Sequence, residues 1–347
     1  MALKRVLITG GAGFLGSHLA EAFQNHGVGV RIFDLAEPPA WARGSELEYV
    51  RGDIRDATAV RNAIEGADAI IHSAFASPRM SPAEIESVNI TGVREVSNQA
   101  LALGVRRFVL ISSTIVEKPS RVHPILRSAA LNALDMYRKT RAEAEEVIME
   151  QGKGGLSVSI VRPKTFVGPG RVSAFTIIFD WVRRGKPVLL LGTASSRYQL
   201  LEIRDMAEGI RLLAGSGSEG VFWFGAHTYG SLKDDLQGLI DYAQTGSRLR
   251  FVPASAARMA LRGIELAGLV TPSELHYMSA WGKDSIVDTS RALEELGWRP
   301  RWSNAEALRN AYDWYVQSIA ETGAAPSIHA LPDSHRKIRN LIETLWR

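Results

Sequence analysis

The stretch Val6–Phe23, VLITGGAGFLGSHLAEAF, decides the fold. A short apolar run ends at Gly10, further glycines follow at Gly13 and Gly16, and the residues after them carry helical periodicity. The spacing therefore predicts a strand, a tight turn and a helix. Glycines at these places let the chain turn sharply, admit a pyrophosphate close to the backbone and allow helix to pack on strand. The helix N-terminus then offers unpaired N–H groups to the anion. Gly10, Gly13, Phe14, Leu15 and Gly16 are accordingly expected to hold the phosphates of a dinucleotide.

Working outward, Asp34 closes a second apolar run, VRIFDL. A carboxylate there can accept both ribose hydroxyls of an adenosine and repels a 2′-phosphate, so NAD is expected rather than NADP. Asp53 and Ile54, after a third run, are expected beside the adenine. The alternation of Val/Ile/Leu runs with helical segments continues to IVRP at 160–163, which predicts an α/β fold: a Rossmann-type, doubly wound parallel sheet covered by helices. Beyond Pro163 the rhythm breaks up. Residues 1–165, joined again by about 200–225, are expected to form the NAD-binding domain. A smaller, mainly helical substrate lobe is expected from 166–199 and 226–330, followed by a helical tail at 331–347.

The 347 residues include no cysteine, which excludes disulfides, thiolate metal sites and cysteine nucleophiles. A net charge of +4 comes from scattered basic residues interleaved with acids, so no nucleic-acid footprint is expected. The short apolar start is neither a signal peptide nor a membrane span, and a cytoplasmic enzyme is expected. His72, at the end of a buried strand, is expected to be a hydrogen-bonded structural residue, and no metal site is visible. Trp181, Trp223, Trp281, Trp298 and Trp302 are expected to pack in the core, and Glu143, Glu145 and Glu146 to form a solvated helix face.

The segments TGGAGFLG, GDIRD, IIHSAFAS, VNITGV, FVLISST, YRKTRAEAE, VRPKTFVGPG, RYQLLEIRDMAEGI and DTSRALEELGWRP occur in one order from Arg5 to about Tyr315. In that order and spacing the chain resembles the extended short-chain dehydrogenases/reductases of the NAD-dependent epimerase/dehydratase group. The resemblance implies that Ala74 and Phe75 line the cofactor, that Asn89 is a structural asparagine, and that Pro163 lies against the cofactor. It places Ser113 at the catalytic Ser/Thr, Tyr137 at the catalytic tyrosine and Arg141 where the family has lysine. It also implies a homodimer through helices around 92–103 and 138–150. Tyr137 and Arg141, four apart, share a helical face, and a cation beside a phenol favours phenolate.

The departures from the family are specific. Arg141 brings a planar fork in place of a compact ammonium. Glu117 stands at a family tyrosine, and Thr114 and Ile115 stand where sugar-nucleotide 4,6-dehydratases carry an acid and a base, so that reaction is disfavoured. Ser77, Arg79, Ser113, Thr114, Lys164, Thr165 and Arg197 are the expected substrate contacts, with Arg197 placed as a diphosphate clamp. A nucleotide-sugar epimerase is the leading expectation. The alternatives are an NAD-dependent dehydrogenase or ketoreductase acting on a lipid-like, steroid-like or specialised-metabolite carbonyl, and an NAD-binding regulatory protein without catalysis.

Overall fold

The computed structural model describes residues 3–37, 47–76, 80–117, 136–253, 255, 259 and 284–326. The chain divides into two compact units. The first takes in Met1–Lys164, Ile203–Gly225 and Val287–Pro300, and the second Thr165–Glu202, Ala226–Ile286 and Arg301–Arg347.

The first unit is built on seven strands: β1 (Arg5–Thr9), β2 (Gly29–Asp34), β3 (Glu48–Arg51), β4 (Ala69–His72), β5 (Arg107–Ile111), β6 (Ser157–Pro163) and β10 (Gly220–Phe224). They lie in the order β10-β6-β5-β4-β1-β2-β3, and every neighbouring pair is parallel. Parallel strands need crossover helices, and helices on both faces explain why Val6, Leu7, Ile8, Ile70, Ile71, Phe108, Val109 and Leu110 are all buried. Helices α2 (Ala57–Ile64), α4 (Val93–Ala102) and α5 (Met136–Lys153) pack together over one face, and α1 (Phe14–Gln24) packs with α7 (Ile203–Ser216) over the other. Between α3 (Pro82–Glu86) and α4 the helix widens into one π turn, Ser87–Gly92. The strand order reverses between β4 and β1, so the carboxyl ends of β1, β4 and β5 open the crevice where doubly wound folds bind ligands.

Val287–Pro300, which the sequence suggested for the substrate lobe, falls in the first unit. The reason is local. From helix α9 (Ser290–Leu296), Arg291 donates to the carbonyls of Val221 at 3.0 Å and Glu219 at 2.6 Å, and the Trp298 indole donates to the Asp205 carbonyl at 2.9 Å.

The second unit holds two short parallel pairs, β7 (Thr165–Val167) with β9 (Leu200–Glu202) and β8 (Val188–Leu191) with β11 (Leu249–Val252). Around them lie α6 (Ala174–Arg183), α8 (Leu232–Ala243) and α10 (Asn304–Thr322), whose buried core includes Phe179, Trp181, Leu236, Leu308 and Tyr315. Helix α10 starts on a capping box between Ser303 and Glu306. Among the described residues no helix is long and apolar enough to cross a membrane, and no cluster of His, Asp and Glu is placed to hold a metal. The tail at 331–347 lies outside the described residues, as does Trp281.

Candidate active site

The glycine turn closes β1 onto α1 through contacts only glycine permits. Gly10 has φ +68°, its N–H donates to the Phe33 carbonyl at 2.9 Å, and a Cβ there would lie 2.8 Å from the Ala74 backbone. At Gly16 a Cβ would come within 2.1 Å of the Gly11 carbonyl oxygen. Gly13 is the helix N-cap in extended conformation, with no side chain capping the helix and no acid in its first turn. An uncapped, unscreened helix N-terminus above a close-packed turn fits a dinucleotide's phosphates. Asp34 ends β2 beside this turn. Its carboxylate accepts from the Ala12 N–H and from the Ala36 N–H, both at 3.0 Å, so it also holds the turn in place.

Asp53 is committed locally. Arg55 bonds it through backbone and side chain at 2.9 Å, and this hydrogen bonding holds the Asp53 carboxyl below the usual range. Ile54 is buried against Gly92, where a Cβ would fall 2.4 Å from the Ile54 side chain.

Below the crevice, Asn89 uses both ends of its amide: Oδ1 accepts from the Ala76 N–H and Nδ2 donates to Thr140 Oγ1, each at 2.9 Å. Asn89 sits in the π turn, which re-aims a helix side chain toward the segment that follows β4. The next residue on α5, Arg141, lies with its guanidinium 3.8 Å from the Phe75 ring centroid and donates to the Ile111 carbonyl at 3.2 Å. A stacked, hydrogen-bonded fork is a fixed positive charge at the tips of β4 and β5. His72 is fully buried, bonded through Nδ1 to Thr9 Oγ1 at 2.9 Å and edge-on to Phe75. Burial, and secondly the Arg141 charge, push its pKa down to about 3, so His72 stays neutral and structural.

Ser113 follows β5 and caps a single 3₁₀ turn, Thr114–Val116, with its Oγ accepting from the Ile115 N–H at 3.2 Å. Thr114 Oγ1 donates to the carbonyl of Pro163, the last residue of β6, at 3.3 Å. Tyr137 stands in the first turn of α5, one turn before Arg141, and its side chain lies outside the described residues, as do Ser77 and Arg79.

The strand tips also carry a cluster that the sequence did not reveal. Glu117 is buried and accepts from Arg162 Nη1 at 3.0 Å and from the Trp223 indole N–H. Arg162 also reaches Glu145, with Nε donating to its carboxylate at 3.1 and 3.2 Å, and Glu145 accepts from the Ser112 hydroxyl. Glu145 is thus 3% exposed, not part of a solvated face: α5 turns position 145 toward the sheet and leaves Glu146 outside. Burial raises the Glu117 carboxyl above its ordinary value against the pull of Trp223 and Arg162. Lys164 is buried near Glu117, and burial brings its amine down to about 8. The available signal was an arginine inside the apolar strand SVSIVRP, since a buried guanidinium requires carboxylate partners.

In the second unit, Thr165 Oγ1 is hydrogen-bonded to the Tyr198 hydroxyl at 2.8 Å. Arg197 is engaged by Asp284, whose carboxylate accepts from the Arg197 backbone N–H at 2.8 Å and from Nε at 3.2 Å.

A parallel, doubly wound sheet with this turn at its switch point defines a dinucleotide-binding enzyme of the Rossmann class. The chain belongs to the NAD dependent epimerase/dehydratase family, whose model matches residues 6–222. NAD is therefore its cofactor, and the glycine cradle fits that group. It is 32% identical to the uncharacterized protein y4nG of Sinorhizobium fredii over 92% of this chain and 81% of that one. With the 3 beta-hydroxysteroid dehydrogenase/Delta 5-->4-isomerase of Mycobacterium tuberculosis it shares 26% identity over 90% of this chain and 91% of that one. Among solved structures, the UDP-glucuronic acid 4-epimerase of Bacillus cereus in complex with NAD has a TM-score of 0.74 at 20% identity, covering 90% of this chain and 99% of that one. That likeness is one of fold.

Proposed function

We propose that this chain is an NAD-dependent dehydrogenase that oxidises a ring secondary alcohol of a hydrophobic, steroid-like substrate. The observation that carries this reading is the alignment, over nine-tenths of the chain, with a relative named for 3β-hydroxysteroid oxidation. The state of Arg197 supports it, because the residue expected to clamp a diphosphate is bonded to Asp284 through backbone and side chain. Thr165 is likewise hydrogen-bonded to Tyr198.

In this proposal Gly10, Gly13, Phe14, Leu15 and Gly16 hold the cofactor phosphates, Asp34 the adenosine ribose, and Ala74, Phe75 and Pro163 line the nicotinamide end. When bound, NAD supplies a hydride acceptor. The Ser113 hydroxyl orients the substrate oxygen, and Tyr137, as phenolate, takes the alcohol's proton as the carbonyl forms. Arg141 supplies the positive charge that favours the phenolate, and Phe75 with the Ile111 carbonyl fixes where that charge sits.

The test is to mix purified protein with NAD and pregnenolone and to follow NADH. Stoichiometric NADH with the matching ketone is expected, and Tyr137→Phe should lower the rate by about 10²- to 10⁴-fold. A nucleotide-sugar epimerase is the second reading, favoured by the fold neighbour that acts on UDP-glucuronic acid. Interconversion of UDP-sugars without net NADH, and no reaction with the steroid, would replace the first reading by the second. NAD binding with Tyr137→Phe altering no turnover would replace both with a non-catalytic role.

A further inference from the structure

Four buried side chains at the strand tips form a closed loop of bonds. Ser112 donates its hydroxyl to Glu145, Glu145 accepts from Arg162, Arg162 donates to Glu117, and the chain from Ser112 to Glu117 completes the loop. Ser113 lies inside that last segment, as the cap of its one turn. Both ends of the segment are tied: Ser112 N–H donates to the Val161 carbonyl at 2.7 Å, and Glu117 is gripped by Arg162 and Trp223. The other arm of the Arg162 fork holds α5 through Glu145, one turn beyond Arg141 and two beyond Tyr137, positions that share a helix face.

Arg162, Glu117 and Glu145 are each no more than 5% exposed. Burying such charges gives little net stability, because well-packed apolar residues would serve as well or better. What the loop supplies is geometry. A rigid bidentate fork fixes two carboxylates on two different elements relative to each other.

We propose that Arg162 is a positioning residue that sets the distance between the Ser113 turn and the catalytic face of α5, with Glu117 and Glu145 as its two anchors. The proposal rests on the reading of Ser113 and Tyr137 as the proton-handling pair. An arginine at the end of β6, away from the reacting atoms, thereby governs how well the hydroxyl and the phenol meet one substrate oxygen.

The test uses the full chain saturated with NAD, in Arg162→Lys, which keeps the charge and loses the fork, and in Glu117→Gln, which keeps the shape. Amide hydrogen exchange is read over residues 112–117 and over α5, together with NAD affinity and with kcat and KM for pregnenolone. Faster exchange in both segments together is expected in each variant. Exchange that rises in only one segment, or in neither, overturns the proposal. For Arg162→Lys, kcat should fall about tenfold with KM and NAD affinity within about twofold, since misplacing reacting groups costs rate before binding. In a Ser113→Ala background the same change should cost less than about threefold, because its effect passes through Ser113. A loss of equal size in both backgrounds, or one that tracks NAD affinity, also overturns it. A wild-type protein inert toward pregnenolone refutes the substrate reading instead, and the exchange measurement still decides the loop.

Discussion

The glycine turn and the strand-tip cluster lie in the same unit, and they are built from opposite materials. The turn is backbone: Gly10 and Gly16 are there because any side chain would strike the Ala74 backbone or the Gly11 carbonyl, and the partners that close on Gly10 are main-chain groups, the Phe33 carbonyl at β2 and Ala74 after β4. The cluster is charge: Glu117, Glu145, Arg162 and Lys164 come from three separate elements and meet out of water. The steric device fails when an atom is added, and the electrostatic one fails when a partner is removed. The two regions should therefore fail in different ways.

The largest effect is expected where the difference is sharpest. Arg162→Met leaves two buried carboxylates without their cation and should cost about 3 to 5 kcal/mol of stability by urea unfolding. A cost under about 1 kcal/mol would mean that Glu117 and Glu145 do not depend on the Arg162 charge. Next, Gly16→Ala adds one methyl that must displace the turn, and NAD affinity measured by calorimetry should drop about hundredfold. Unchanged affinity would show that the turn has room for the added methyl.

Lys164 puts the buried charge to a test by pH. The Lys164 amine has its pKa lowered from 10.5 to about 8 in the folded chain, so between those values the unfolded chain binds the extra proton. Stability must then rise with pH in that window, and the burden of the charged amine is fully present below about 8. Relative to Lys164→Met, the wild type should recover about 2 kcal/mol between pH 8 and 10, read from paired melting curves. A difference that stays flat with pH would show that this amine does not titrate there. The smallest effect belongs to Arg197, whose side chain is 55% exposed in its pair with Asp284. Arg197→Ala should change stability by less than about 1 kcal/mol and leave steroid turnover intact. Loss of UDP-sugar binding in that variant would return the clamp to the first rank.

The same contrast explains what the sequence made legible. The turn and the β2 terminus at Asp34 are local signals, set by a few neighbours and by a strand end, and they could be placed from the letters alone, whereas Ser113 was singled out by the family resemblance. Glu145 could not. Among Glu143, Glu145 and Glu146 only the rotation of α5 against the sheet separates the buried acid from its neighbours, and its partner Arg162 lies on the next strand. Arg197 was legible as an arginine beside a substrate lobe, but its partner Asp284 is 87 residues away, so its commitment was not. The placing of Val287–Pro300 failed likewise, because Arg291 and Trp298 find their carbonyl partners at Val221, Glu219 and Asp205. Long-range pairing of charged and indole groups is what a linear pattern conceals.

The carboxylate of Asp34 spends one oxygen on the Ala12 amide. An attempt to re-engineer the enzyme for the phosphorylated coenzyme by truncating that side chain would also remove the acceptor that ties the glycine turn through Ala12. In the proposed reading coenzyme preference and turn rigidity depend on one side chain, so a redesign that truncates it has to install a second tether for Ala12 along with the new pocket.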